Sequence, residues 1–140
     1  MTAAGVVQVT AGVIARAGRV LVCQRPPDGH HPGKWEFPGG KVEAGETLEA
    51  GLRRELHEEL GIDARIGRVL WRTEHHYAGR PAFALTFFLV EQYAGTPTNR
   101  AFAAIQWAPL AELGGFDFLE ADRGFVAALG RGDVLVSAQK

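Results

Sequence analysis

The sequence predicts a single α/β domain in which helical layers cover both faces of a β-sheet. Three observations carry this expectation. The chain has 140 residues, the size of one ordinary domain. In Ala82–Tyr93, Phe83, Leu85, Phe87 and Leu89 alternate with Ala84, Thr86, Phe88 and Val90, so the strand is apolar on both faces and needs cover on both. In Thr47–Leu60, Leu48, Leu52, Leu56 and Leu60 recur at every fourth position, an apolar stripe that packs a helix onto such a sheet.

The elements follow in chain order. Val6–Ala15 places Val7, Val9, Ala11 and Val13 on one alternating face, and Arg19–Arg25 is rich in strand-forming residues. Gly18 between them suits a tight hairpin turn. Pro26–Lys34 is turn chemistry throughout. Trp35–Phe37 is a short apolar segment, which Pro38-Gly39-Gly40 interrupts. The helix over Thr47–Leu60 stops at Gly61. It carries Gly51, which costs about 1 kcal/mol relative to alanine, so it relies on tertiary packing. Strands are expected at Arg65–Tyr77, Ala82–Tyr93 and Ala104–Trp107, and a second helix at Asp122–Leu129 with Phe125, Val126 and Leu129 facing inward. One domain over residues 1–140 is expected, with its core at about 6–129 and a weakly ordered tail over 130–140.

Composition excludes several classes. Hydrophobic residues make up 46% of the chain and charged residues 22%, enough apolar matter to fold without a disulfide or structural metal. The formal charge of -1 leaves no basic surplus for stable nucleic-acid binding. The one cysteine, Cys23, allows no internal disulfide and reads as a small core residue. No apolar run reaches the roughly 18 residues of a membrane span, and Met1–Gln8 has neither a basic residue nor a signal-peptide core. A cytoplasmic monomer or homodimer with no membrane partner is the expectation.

The chemistry is concentrated in Gly39–Ile62, where a glycine-rich loop runs into the first helix. Glu55, Glu58 and Glu59 stand at i, i+3 and i+4 and project from one helix face. Their mutual repulsion is destabilising unless a counter-charge or metal joins them. Carboxylates with no His or Cys partner suit a hard, oxygen-seeking cation, Mg²⁺ with Mn²⁺ as a substitute. Mg²⁺ held by few carboxylates spends its remaining positions on water and phosphates, which points to metal-assisted phosphoryl transfer. Arg54 stands four residues before Glu58 and can orient that carboxylate. Glu46, near the helix start, favours the helix dipole or braces the loop by accepting backbone N–H bonds. His75-His76 has no third ligand at zinc spacing and reads as strand surface.

A Glu-rich helix alone is usually a solvated face. The whole pattern is more specific: Gly40, five residues, Glu46, seven residues, Arg54-Glu55, the aliphatic Leu56, one residue, Glu58-Glu59, one residue, Gly61 and the aliphatic Ile62. Seven fixed positions at roughly 1 in 15 each give a chance match of about 10⁻⁸ per start position. The pattern resembles the Nudix box. The preceding WEFPGGKVE segment is similar to the MutT-type Nudix hydrolases, and the resemblance extends over about Val6 to Leu129.

The resemblance implies an α/β/α sandwich around a mixed β-sheet. It implies hydrolysis of a nucleoside triphosphate to the monophosphate and diphosphate, for sanitation of the nucleotide pool that serves DNA synthesis and repair. The metal ligands would be Glu55, Glu58 and Glu59 with the Gly39 carbonyl. Glu55, Glu58 and Arg54 would do the catalysis, and Gly40, Glu46 and Gly61 would shape the box. Lys41 would neutralise phosphate. Arg25, His30, Phe37 and Asp122 match nucleotide-pocket positions, Phe37 as a wall near the base. Family members often carry a glutamate in the loop before the Trp-bearing strand, whereas Asn99–Phe102 has no acid, so Glu55 or Glu58 must supply the base.

MutT-type members have an asparagine where this chain has Asp122, and CTP pyrophosphohydrolases of the family have an aspartate. An ionised carboxylate only accepts hydrogen bonds and favours an exocyclic amine such as cytosine N4; a protonated one can also donate and read an oxidised guanine. The expected substrates are oxidised or modified (d)NTPs of the 8-oxo-dGTP type. The alternatives are CTP and other pyrimidine (d)NTPs, or another nucleoside diphosphate derivative such as a dinucleoside polyphosphate or nucleotide sugar. A catalytically inactive nucleotide-binding module is the reading from outside the enzymes.

Overall fold

A computed structural model describes residues 6–136. Its elements are β1 (Val7–Arg16), β2 (Arg19–Gln24), β3 (Trp35–Glu36), β4 (Gly39–Lys41), α1 (Leu48–Leu60), β5 (Asp63–Arg65), β6 (Val69–His75), β7 (Phe83–Val90), β8 (Gln92–Ala94), β9 (Ala104–Pro109), 3-10 turns at Leu110–Gly115 and Glu120–Asp122, and α2 (Arg123–Arg131). The opening hairpin forms as the sequence predicts. Arg16 pairs with Arg19, and both turn residues, Ala17 (φ 52°) and Gly18 (φ 78°), adopt the left-handed backbone that such two-residue hairpin turns demand.

Seven strands form a mixed sheet in the order β3-β2-β1-β7-β6, with β4 added to β1 and β9 to β2. β1 runs parallel to β7 from Val7↔Phe83 to Ile14↔Val90, and the other pairings are antiparallel. The second edge of β1 is divided. Ala15 and Arg16 pair with β2, whereas Val9–Ala11 pair with β4, so the 35–41 segment crosses from one strand to the other.

Period-2 alternation then sorts the core into two layers. Val13, Val20, Val22, Leu85, Phe87 and Leu89 pack with Phe118, Phe125 and Leu129 on the α2 side. Ile14, Leu21, Phe88 and Val90 pack with Leu52, Leu56 and Leu60 of α1 on the other. The chain is therefore an α/β/α sandwich around a mixed sheet. The Thr47 hydroxyl caps α1 by accepting from Ala50 N at 3.0 Å, and Gly61 ends the helix at φ 71°.

Several boundaries differ from the sequence expectation. The single strands expected over Arg65–Tyr77 and Ala82–Tyr93 are each split, and the detached pieces β5 and β8 pair in a separate two-stranded ribbon. The cause is a close crossing: Gly67 N donates to Leu89 O at 2.8 Å, Leu89 N donates to Arg68 O at 2.9 Å, and a Cβ on Gly67 would lie 2.7 Å from Leu89 O. Pro38-Gly39-Gly40 does not end the strand region, because Gly39–Lys41 reopens as β4 against β1. α2 runs past Leu129 to Arg131, and Gly132 caps it at φ 80°. Within the expected tail, Val136 is 5% exposed in the core and Leu135 O accepts from Arg68 Nη2. Residues 137–140, the end of that tail, lie outside the described residues. Among the described residues no helix is long and apolar enough to cross a membrane.

Candidate functional site

A cavity of about 310 Å³ opens between the 35–41 crossing segment, β1, β7 and the turn before α2, within the range of small-molecule sites. Val9, Ala11, Phe83 and Leu85 supply apolar wall. Gly39, Gly40, Lys41 and Glu59 face it, as do Arg25, Glu36, Phe37 and Asp122, with His30, His31, Tyr77 and Arg80 around them. The crossing segment thus connects the acidic helix to the buried aspartate.

The acidic turn of α1 docks on β4. Gly39 N donates to Glu59 Oε1 at 3.1 Å. Glu55 lies one helical turn before Glu59 and is held from the other side by Arg54. Burial first, and then the Glu55 charge, push the Glu59 carboxyl up to about 8, while burial raises Glu55 above the usual carboxylate range. Gly40 leaves room for this pair, since a Cβ there would lie 2.6 Å from Glu55 Oε2.

Arg54 is the counter-charge. Its Nε reaches Glu46 Oε2 at 2.8 Å, its Nη1 reaches Glu55 Oε2 at 3.2 Å and Glu58 Oε1 at 3.6 Å, and its Nη2 donates to the Lys41 carbonyl at 3.2 Å. Of the two roles open to Glu46, the loop brace is the one present: Glu46 Oε1 accepts from Glu43 N at 2.9 Å. The hydrogen bonds from Arg54 and then from Glu43 N hold Glu46 down at about 2.

Glu58 is the most exposed of the three carboxylates on this turn. Its side chain is 57% exposed, and its carboxylate, like that of Glu55, is held by Arg54 Nη1. Among the described residues no three His, Cys, Asp or Glu side chains are already gathered as ligands. Glu58 pairs with Arg54, and Glu59 accepts from the Gly39 N–H. The donor set still fits a hard divalent cation, because three carboxylates on one helical turn stand beside the Gly39 backbone and bring only oxygen donors.

The second set centres on Asp122, which is 4% exposed. Burial, then the Glu36 charge, push its carboxyl up to about 8, although the Phe37 N–H hydrogen bond and Arg25 oppose the shift. Arg25 is partly committed already: Nη1 holds both oxygens of Glu36 at 3.1 and 3.2 Å, and Nε donates to His30 O at 2.8 Å. Phe37 combines both roles open to it. It lines the cavity and is 3% exposed against Phe87, Phe118 and Phe125.

A pH-dependent stability follows from Asp122. The folded pKa lies above the unfolded one, so the folded state retains a proton that the unfolded state loses from about pH 4 upward. Its contribution is fully present below pH 4 and is lost as pH rises through about 8. Asp122→Asn should remove this slope, which for one proton is at most about 1.4 kcal/mol per pH unit. Urea unfolding of both proteins between pH 5 and 8 measures it, and parallel curves would contradict it.

Glu36, His31, Tyr77 and Arg80 line the cavity but are not among the sequence-derived candidates. A charged residue inside the apolar Trp35–Phe37 segment was the available signal for Glu36; the others come from loops whose approach depends on long-range packing. His75 is not strand surface: its ring packs on Tyr77 and Phe83 with centroids 4.5 and 6.0 Å apart. His30 Nδ1 lies 3.0 Å from Arg80 Nη1. The Cys23 thiol is buried, and burial pushes it up out of reactive range. In the Asn99–Phe102 loop, Asn99 Oδ1 accepts from Phe102 N at 2.8 Å, and Arg100 N binds the Glu59 carbonyl at 3.0 Å.

Comparisons with known proteins agree with this arrangement. Residues 6–129 match the NUDIX domain model. The chain is 34% identical over 125 residues to the 8-oxo-dGTP diphosphatase of Escherichia coli, covering 89% of this chain and 96% of that protein. It is 38% identical over 101 residues to the CTP pyrophosphohydrolase of the same organism, covering 72% and 74%. Its backbone matches the solution structure of the E. coli ORF135 protein with a TM-score of 0.82 and 32% identity, covering 96% and 95%.

Proposed function

Because this chain belongs to the NUDIX family, we propose that it is a nucleoside triphosphate pyrophosphohydrolase that removes oxidised or modified (d)NTPs from the cytoplasmic pool. One observation carries the proposal. The crossing segment Glu36–Lys41 brings the acidic turn, through Gly39 and Glu59, to the same cavity as the buried Asp122, through Phe37. A phosphate chain and a nucleobase need these two environments side by side.

Glu55, Glu58, Glu59 and the Gly39 carbonyl would hold Mg²⁺, with Mn²⁺ as a substitute. When bound, the ion offsets the negative charge that makes a triphosphate resist attack by water. The protein's own groups do the rest. Lys41, exposed at the cavity wall, places a positive charge beside the phosphates. Arg54 keeps Glu55 and Glu58 oriented. Glu55 or Glu58 takes the proton of the attacking water, because the Asn99–Phe102 loop carries no acid. The Val9, Ala11, Phe37 and Leu85 walls keep water away from the base.

Asp122 also supports a second reading, hydrolysis of CTP and other pyrimidine (d)NTPs, with the CTP pyrophosphohydrolase among the relatives. Protonated Asp122 can donate to a purine oxygen; ionised Asp122 only accepts and favours the cytosine amine. As pH rises through about 8, the cytosine-to-oxidised-guanine ratio of kcat/KM should rise by about tenfold in the wild type. It should stay flat in Asp122→Asn, which at high pH should prefer oxidised guanine over cytosine. Equal pH profiles in the two proteins would remove Asp122 from base reading.

A diphosphate-release screen over normal and oxidised triphosphates, CTP, dinucleoside polyphosphates and nucleotide sugars with Mg²⁺ tests the proposal. Preferred turnover of an oxidised triphosphate is expected. Preference for CTP favours the second reading, and turnover only of the other classes contradicts both. Nucleotide binding without turnover would mark an inactive binding module.

A further inference from the structure

The aspartate that reads the base sits on a three-residue 3-10 turn, Glu120–Asp122, which is too short to hold its own geometry. Outside contacts fix it. On one side Leu119 N donates to Trp35 O at 2.9 Å. On the other, Ala121 N donates to Tyr77 Oη at 3.1 Å. Ala121 is buried, so this backbone donor would have no acceptor without the phenol oxygen.

Tyr77 is in turn gripped from three directions. Its ring lies 4.5 Å from that of His31, 4.5 Å from that of His75 and 5.9 Å from that of Phe83, the last stacked at 22°. His31 adopts a left-handed backbone, φ 53°, which a histidine enters only at a cost, and its ring is thereby laid on Tyr77. Among the described residues the buried His75 Nε2 makes no hydrogen bond, and it lies 3.5 Å from Glu120 Oε1 on the same turn.

We propose that Tyr77 is a positioning residue for base selection: through the Ala121 N–H it sets where the Asp122 carboxyl meets the nucleobase. This rests on the reading of Asp122 as the base-reading group. The phosphate end of the site is untouched by the contact, because the acidic turn is fixed separately by Gly39 and Arg54.

Tyr77→Phe keeps the ring and its three packing partners and removes only the oxygen. The cytosine-to-oxidised-guanine ratio of kcat/KM should change by about threefold to tenfold, the value of one hydrogen bond, and KM should carry the change while kcat on the preferred triphosphate stays within about twofold. In an Asp122→Ala background, which leaves no polar side chain at 122 to position, the same substitution should leave the ratio unchanged. A wild-type ratio in Tyr77→Phe overturns the proposal. So does an equal change in both backgrounds, which would mean that Tyr77 reads the base without Asp122. Should the wild type hydrolyse no triphosphate, the hydrolase reading fails by itself. The same four proteins then give the ratio of Kd for cytidine and 8-oxoguanosine monophosphates by calorimetry, with the same two outcomes for Tyr77.

Discussion

Glu58→Gln is expected to lower turnover of the preferred triphosphate by at least about 10²-fold, the range for a lost general base or charge-stabilising ligand. Melting temperature should be almost unchanged. Glu58 is 57% exposed and its ion pair is with Arg54, at 3.6 Å, and exposed ion pairs contribute little to stability. A large kinetic loss at this position therefore has no structural explanation. Glu59→Gln is a less clean experiment, because Glu59 is buried against Glu55 and bonded to Gly39 N, so its loss alters folding as well. Circular dichroism melts and steady-state kinetics on the same Glu58→Gln preparation check the prediction. Near-wild-type turnover in Mg²⁺ would remove Glu58 from the reaction.

Gly39→Ala should destabilise the fold by about 3 kcal/mol or more, combining backbone strain with the forced displacement of a packed strand. Gly39 has φ +152°, a conformation that residues with a Cβ rarely adopt. An added Cβ would lie 2.1 Å from the Thr10 carbonyl oxygen, which belongs to the central strand and cannot move aside. The same displacement would carry Gly39 N away from Glu59, so activity should fall with stability. Urea unfolding measures the first effect. A loss below about 1 kcal/mol would show that β4 is free to shift.

The layers and the acidic turn were legible because both rest on short-range periodicity. The four-residue spacing from Leu48 to Leu60 and the two-sided alternation of Phe83–Val90 are local patterns, and both reappear in the α1 and α2 core layers. The box residues share one helix and its preceding loop, so their proximity needs no knowledge of the rest of the chain. The split of the 65–77 and 82–93 strands was not legible. It depends on Gly67 meeting Leu89, a contact between segments far apart in sequence. The role of Arg54 was half legible: its four-residue spacing to Glu58 is local, whereas its pairing with Glu46 needs the loop to fold back on α1. Asp122 could be found by position, whereas its burial near the Glu36 charge and the Tyr77 contact at Ala121 arise only when β3, the loop after β6 and the 119–122 turn converge.

Titration calorimetry of Mg²⁺ into the protein, with and without a non-hydrolysable triphosphate bound, tests most directly whether one helical turn of α1 holds the ion that assists the hydrolysis. Saturable binding that tightens with nucleotide and is abolished in Glu55→Gln/Glu58→Gln is the expected result. Absence of binding heat in the wild type with nucleotide present, or undiminished binding in the double variant, would contradict it.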